Sequence, residues 1–245
     1  MNKSYFDLNS KDRRSGESLN NVSFSNFNLI NVTRIEVEEV SVSYSWYDIQ
    51  TAYNSTLVII NPTGPTTYTI NITPGSYSGT ELATALQTAL NAAWANSFVV
   101  TFNSNNGKFT ISGTSTFTID STSTILGVLG LVASSGTNSY TSTNVANLHF
   151  TEYINFNSSE LHNNLPNFTS SDLRNGQRFI RIPVSNYAFG DRIVYHPHHP
   201  IELAYNNPIS LPSLNITVTD QLDRLIEFNS SANWNIRLKV YSSRF

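Results

Sequence analysis

The chain has 245 residues and a formal net charge of −3; 13% of it is charged, 12% is aromatic and it has no cysteine. Those figures exclude a disulfide framework, a thiolate metal site and a cysteine nucleophile, and they leave no basic field to attract nucleic acid or an anionic membrane. The aromatic content excludes disorder, and the length suits one all-β core with an added module.

Residues 1–20 carry Lys3, Lys11, Arg13 and Arg14 against Asp7, Asp12 and Glu17 with little apolar periodicity, so an extended N-terminal arm is expected there. A polar strand follows over Val22 to Leu29. From Arg34 to Trp46 the alternation is explicit, with Ile35 and Val37 on one phase and Val40, Val42, Tyr44 and Trp46 on the other. A period of two survives that slip only with one extra residue, which predicts a β-bulge at Glu38-Glu39. Glu36 and Glu38 are assigned to the solvent face. Leu57 to Asn61 is a short apolar strand closed by the turn residues Asn61-Pro62-Thr63-Gly64-Pro65.

An inserted α+β module is expected over residues 66–143. Its first strand, Tyr68 to Ile72, leads to Pro74-Gly75, and Ser78 with Glu81 has capping-box spacing. Leu82, Ala85, Leu86, Ala89, Leu90, Ala93 and Trp94 then make one apolar helical stripe of about four turns. Phe98, Val100 and Phe102 alternate on one side of Asn106-Gly107, and Phe109 and Ile111 on the other, which predicts a hairpin. A strand around Phe117 to Ile119 and a short helical turn at Ile125 to Leu131, read as a core plug, precede the Ser/Thr-rich run Ser134 to Thr143.

Strands resume at His149 to Phe156, Phe179 to Val184, Ile201 to Tyr205, Leu214 to Thr219, Leu225 to Phe228 and Trp234 to Tyr241. The last places Trp234, Ile236, Leu238 and Val240 inward and Asn235, Arg237 and Lys239 outward. With residues 21–65 and 144–245 taken together, the parts are those of a two-sheet sandwich. The expected fold class is mainly β: a single eight-stranded jelly roll with a small α+β insertion.

The most site-like segment is Tyr195-His196-Pro197-His198-His199-Pro200, between Asp191 and Glu202. Its prolines impose an extended path and its spacing matches no zinc motif, so His196, His198 and His199 are expected in a rigid loop at a pH-tuned subunit contact. No nucleophile elbow, phosphate loop or dinucleotide fingerprint occurs. The expectation is therefore no enzyme, no catalytic residue, no cofactor and no metal. Lys11, Arg13 and Arg14 are interleaved with acids, which fits a solvated or subunit-wrapping arm in contact with a neighbouring subunit better than specific nucleic-acid binding. The most apolar run, Ile125 to Ala133, is roughly half of what spans a bilayer, so no membrane span is expected, and the N-terminus lacks the apolar core of a signal peptide. Eight Asn-x-Ser/Thr triplets, at Asn21, Asn31, Asn54, Asn71, Asn157, Asn167, Asn215 and Asn229, reflect the abundance of those residues.

Three segments carry a family resemblance. FDLNSKDRRSG at Phe6 to Gly16 resembles the opening of penton and minor capsid proteins from virophages and related Polinton-like viruses, where an NS-x-D-R-x-SG-like segment precedes the first strand. ITPGSYSGTELATALQTAL, with its hairpin and ILGVLGL, resembles a module of structural proteins in these and other large DNA viruses. NITVTDQLDRLIEF and WNIRLKVYSSRF are similar to the closing strands of their jelly rolls. The resemblance implies a capsid protein in the virion, a homopentamer closing icosahedral vertices against the viral major capsid protein. It also implies an insertion that faces outward, where it could meet a host-surface ligand. Two alternatives from other classes are a trimeric β-sandwich attachment spike and a lectin-like or carbohydrate-active jelly roll.

Overall fold

The computed structural model describes residues 2–51, 53–64, 66–162, 178–229 and 231–243; Pro65 of the expected turn and Asn167 of the triplets lie outside them. In chain order the elements are β1 (Asn2–Asn9), a 3-10 turn (Ser10–Asp12), β2 (Asn21–Ser43), β3 (Thr56–Asn61), β4 (Thr66–Asn71), α1 (Gly79–Ala93), β5 (Val99–Asn103) and β6 (Lys108–Ile119). There follow α2 (Leu126–Leu129), β7 (Ser134–Thr141), β8 (Tyr153–Asn157), α3 (Ser159–His162), β9 (Arg178–Pro183), β10 (Arg192–Tyr195), β11 (Ile201–Thr219) and β12 (Asn235–Ser242). The protein is mainly β with antiparallel sheets. It divides into two compact units, Met1–Trp46 with Thr151–Phe245, and Tyr47–Phe150.

The first unit is one seven-stranded sheet among the described residues, in the order β1-β12-β2-β11-β8-β9, with β10 also on β2. Two strands are long because they bend. β11 pairs with β2 at Ile201–Ala204 and again at Ser213–Thr217, and the register shifts between. Pro208 and Pro212 lie in that stretch, where a missing N–H is tolerated. On β2 the bend carries Asn28 and Asn31 at φ 42° and 54°, left-handed conformations that asparagine accepts. One half of the sheet thus contains β1, β12, the end of β2, β10 and the start of β11; the other contains the start of β2, the end of β11, β8 and β9. Their apolar faces share a single core, in which Trp234 lies 5.5 Å from Phe156 and 6.1 Å from Phe24, ring to ring.

The expected bulge is present. Arg237 of β12 stands opposite Glu39 and Leu238 opposite Val37, leaving Glu38 as the extra residue. Trp234, Ile236, Leu238 and Val240 are all buried, as their phase predicts. Residues 1–20 correct the expected arm: β1 pairs residue for residue with β12, from Asn2 opposite Ser242 to Asn9 opposite Asn235. Backbone pairing to an open sheet edge needs little apolar periodicity, and Leu8 alone sinks into the core. Leu225 to Phe228 is not a strand; a single bridge joins Leu225 to Thr219.

The second unit has the sheet order β4-β3-β6-β5, with β7 on β6. Here the expected 66–143 boundary meets a correction, because β3 pairs with β4 and β6 rather than with any strand of the first unit. Its apolar residues Leu57 and Ile59 belong to the same core as the helix. α1 forms as its sequence dictates: Ser78 accepts from the Glu81 N–H, and the Glu81 carboxylate accepts from the Ser78 N–H at 2.8 Å. Leu82, Leu86 and Leu90 are fully buried, whereas Ala93 at the end of the stripe is exposed. β5 and β6 form the expected hairpin, with Gly107 at φ 67° in the turn. Ile125, Val128, Leu129 and Leu131 plug the core from α2. The Ser/Thr-rich run is β7, invisible to a hydrophobic pattern because only Tyr140 of it faces inward.

Candidate functional site

The segment Asn9 to Gly16 folds as a stapled loop. The Asn9 side chain accepts from the Lys11 N–H at 3.0 Å, and Ser10, fully buried, bonds the Trp234 backbone on both sides: its N–H donates to the Trp234 carbonyl and its hydroxyl accepts from the Trp234 N–H. The Arg13 guanidinium donates to the Ser10 carbonyl (2.8 Å), the Asn233 Oδ1 (3.0 Å) and the Glu17 carbonyl (3.2 Å). Gly16 turns the chain at φ 92°. Arg13, expected as a contact residue, is half-buried and holds the loop, while Lys11 and Arg14 are exposed. Glu17 is held below the usual carboxylate range, chiefly because its carboxylate accepts from the Ser23 N–H.

The histidine loop lies opposite the β2 bulge. β10 pairs with Val40–Ser43 and β11 with Arg34–Val37, so residues 196–200 pass alongside Glu38 and Glu39. His196 Nδ1 is 4.0 Å from the Glu39 carboxylate, an ion pair only when the imidazole is protonated. His198 and His199 meet edge to face at 5.3 Å. Asp191 is occupied with the Ala188 N–H and Glu202 with Arg34, so the expected neighbours do not converge. Among the described residues no cluster of three or more His, Asp or Glu is placed to hold a metal ion, and no helix is long and apolar enough to cross a membrane.

A third cluster went unseen in the sequence. Glu36, assigned to solvent, is only 6% exposed. It accepts from Lys239 Nζ (3.0 Å) and the Tyr241 hydroxyl (3.0 Å) and pairs with Arg34 (3.1 Å). Arg34, Lys239 and Lys3 surround the Tyr241 ring, at 3.9, 5.1 and 5.6 Å. Burial pushes the Glu36 carboxyl up, but hydrogen bonds from Lys239 and Tyr241 and the charges of Arg34 and Lys239 outweigh it and hold the group below the usual glutamate value. Tyr241 and Glu36 in turn raise Lys239. The outward phase of Arg34/Glu36 and of Lys239/Tyr241 is readable, but their adjacency depends on the β2–β12 register.

The second unit presents a different chemistry. Of the chain's 14 Lys and Arg and 17 Asp and Glu residues, only Asp48, Glu81, Lys108 and Asp120 fall within Tyr47–Phe150. Its outward β6–β7 surface is a hydroxyl ladder, with Thr110 to Thr141 at 2.9 Å and Ser112 to Ser139 at 3.0 Å. Val99, Val132 and Val145 are exposed.

No family model matches the chain, and no curated protein matches it in sequence. Its structure is similar to that of the mavirus penton protein, with a TM-score of 0.53 and 13% identity over 99% of this chain and 100% of that one. That coverage takes in both units. The D2–D3 domains of the flagellar cap protein FliD from Escherichia coli cover 96% of this chain and 98% of their own at 14% identity, with a TM-score of 0.24, too low to indicate a common fold.

Proposed function

From the virophage penton-like fold of this chain, we propose that it is a structural protein of a virion: a penton-like capsid protein whose copies form a homopentamer and close icosahedral vertices against the major capsid protein. The observation that carries this reading is the end-to-end likeness to the mavirus penton protein, which includes the Tyr47–Phe150 unit and so is a likeness of the whole architecture. In this reading the first unit is a jelly roll. The bent β2 and β11 each serve both halves of its sheet, so the seven strands supply nine segments, five in one half and four in the other, enough for the two layers of a jelly-roll sandwich. Lys11, Arg14, His196, His198 and His199 lie at subunit or capsid contacts, and Arg13 shapes the loop that presents two of them.

Native mass spectrometry tests the assembly. A species of five times the 27.3 kDa chain mass is expected, and a monomer or trimer at every concentration overturns the pentamer. Peptide mapping of purified virions tests the location. A second reading, attachment to a host surface, is favoured by one observation: the nearly charge-free, hydroxyl-rich surface of Tyr47–Phe150 suits a neutral ligand. A glycan array probed with the intact protein separates the two.

A further inference from the structure

Most charges on the outward side of β1, β12, β2 and the start of β11 cancel within the chain. Asp7 takes Arg237 at 2.9 Å, Glu36 takes Lys239 and Arg34, and Glu202 takes Arg34 at 3.6 Å. Lys3 lies against the Tyr241 ring, and two further sets, opposite in net sign, lie outside these pairs. At the bulge, Glu38 and Glu39 feel the Arg237 charge across the sheet, but Arg237 is itself paired with Asp7; Glu38 makes no close ion pair among the described residues, and the Glu39 pair with His196 exists only when the imidazole is protonated. In the loop after β1, Lys11 and Arg14 are exposed and make no close ion pair among the described residues; Asp12 and Glu17 offset part of the charge of Lys11, Arg13 and Arg14, and the loop stays net positive.

Both sets are fixed in place before any partner arrives. Glu38 and Glu39 sit on a bulge flanked by paired residues of β12, and Lys11 and Arg14 sit on the loop stapled by Arg13 and Ser10. Within one chain they do not meet. Glu39 stands opposite Arg237, and Arg237 opposite Asp7, with β1 running two residues further to Asn9 before the 3-10 turn that carries Lys11, so the sets are separated by two strand spacings and by roughly 7 Å along the strand, about 12 Å in all. That is beyond the ~10 Å screening length at 0.1 M salt.

We infer that the basic loop of one copy docks on the acidic bulge of the next, Lys11 and Arg14 against Glu38 and Glu39. The occupant of each patch is a second copy of this chain, because each patch finds its complement in charge and in size on the other. The inference rests on the penton reading and deepens it. Two different patches of one chain make a head-to-tail contact, the type that closes into a ring when the rotation between copies closes, as the pentamer reading requires. Long-range complementarity of this kind sets register and association rate and weakens as salt rises.

Two reversals, Lys11→Glu with Arg14→Glu and Glu38→Lys with Glu39→Lys, are each made alone and then combined in one chain. Association is followed by sedimentation, with thermal melting as a check on folding. Each reversal alone is expected to weaken association about tenfold or more, and the combined variant is expected to restore it, because every contact between copies is again between opposite charges. Neutral Glu38→Gln with Glu39→Gln gives a smaller loss in the same direction, and the unmodified protein dissociates as salt is raised from ~0.1 to ~1 M. If the reversals leave a pentamer intact, or the combination fails to rescue, this contact is wrong while the penton reading stands. If the unmodified protein is a monomer throughout, both fall.

Discussion

Glu36 and Trp234 show how much single side chains contribute to the first unit. Glu36 sits almost out of water beside Arg34, Lys239 and Tyr241, so Glu36→Gln would leave two cations facing a neutral amide. Removing one partner from such a cluster costs on the order of 3 kcal/mol at neutral pH. Because the folded protein holds the Glu36 carboxyl below its ordinary 4.5, the stabilisation is complete above about pH 4.5 and is lost as pH falls through the lowered value. Urea unfolding between pH 7 and pH 2 should therefore show a steeper acid loss for the parent than for Glu36→Gln. Trp234 is fully buried, and its indole N–H donates to the Leu19 carbonyl at 2.7 Å. Trp234→Ala should cost about 3–5 kcal/mol; an unchanged melting temperature would contradict the burial of this ring.

At the scale of elements, α1 is specified locally and then tightened by its neighbours. Ser78→Ala removes the cap and should cost about 1 kcal/mol. Gly79→Ala would normally help a helix, but a Cβ at this position would be driven into the Phe102 ring, itself packed on Phe109 at 4.9 Å. The steric term should win, with a loss of about 1–3 kcal/mol, and denaturant titration followed by the fluorescence of Trp94 should show it. The bulge at Glu38 is the counterpart in the first unit. It was legible because a period-two pattern changed phase at a known residue, whereas β1, β7 and β10 were not, since polar or short strands are held by backbone pairing that leaves no apolar signature.

For the whole molecule, the two units differ in charge and have separate cores. Replacing Tyr47–Phe150 with a Gly/Ser linker between Trp46 and Thr151 should leave a cooperatively melting protein with the oligomeric state of the parent. A folded variant that is strictly monomeric, from a pentameric parent, would move the assembly contact onto the second unit. Excision at 65 and 144, the sequence boundaries, should instead fail, because it strands β3 without β4 and β6.

The sequence by itself determined the mainly β class, the capped helix and its hairpin, the bulge, the inward phase of the last strand and the likeness to virophage penton proteins. All of these rest on residues close together in the chain, or on a motif such as Asn9 to Gly16. Only the tertiary structure decided that β3 belongs to the second unit, that the N-terminal segment is a paired edge strand, that Arg13 is a staple and that Glu36 is buried. Each of these depends on which strand lies beside which, in pairs up to 240 residues apart such as Asn2 with Ser242, and alternation along a strand records which way a side chain points but not its neighbour across the sheet.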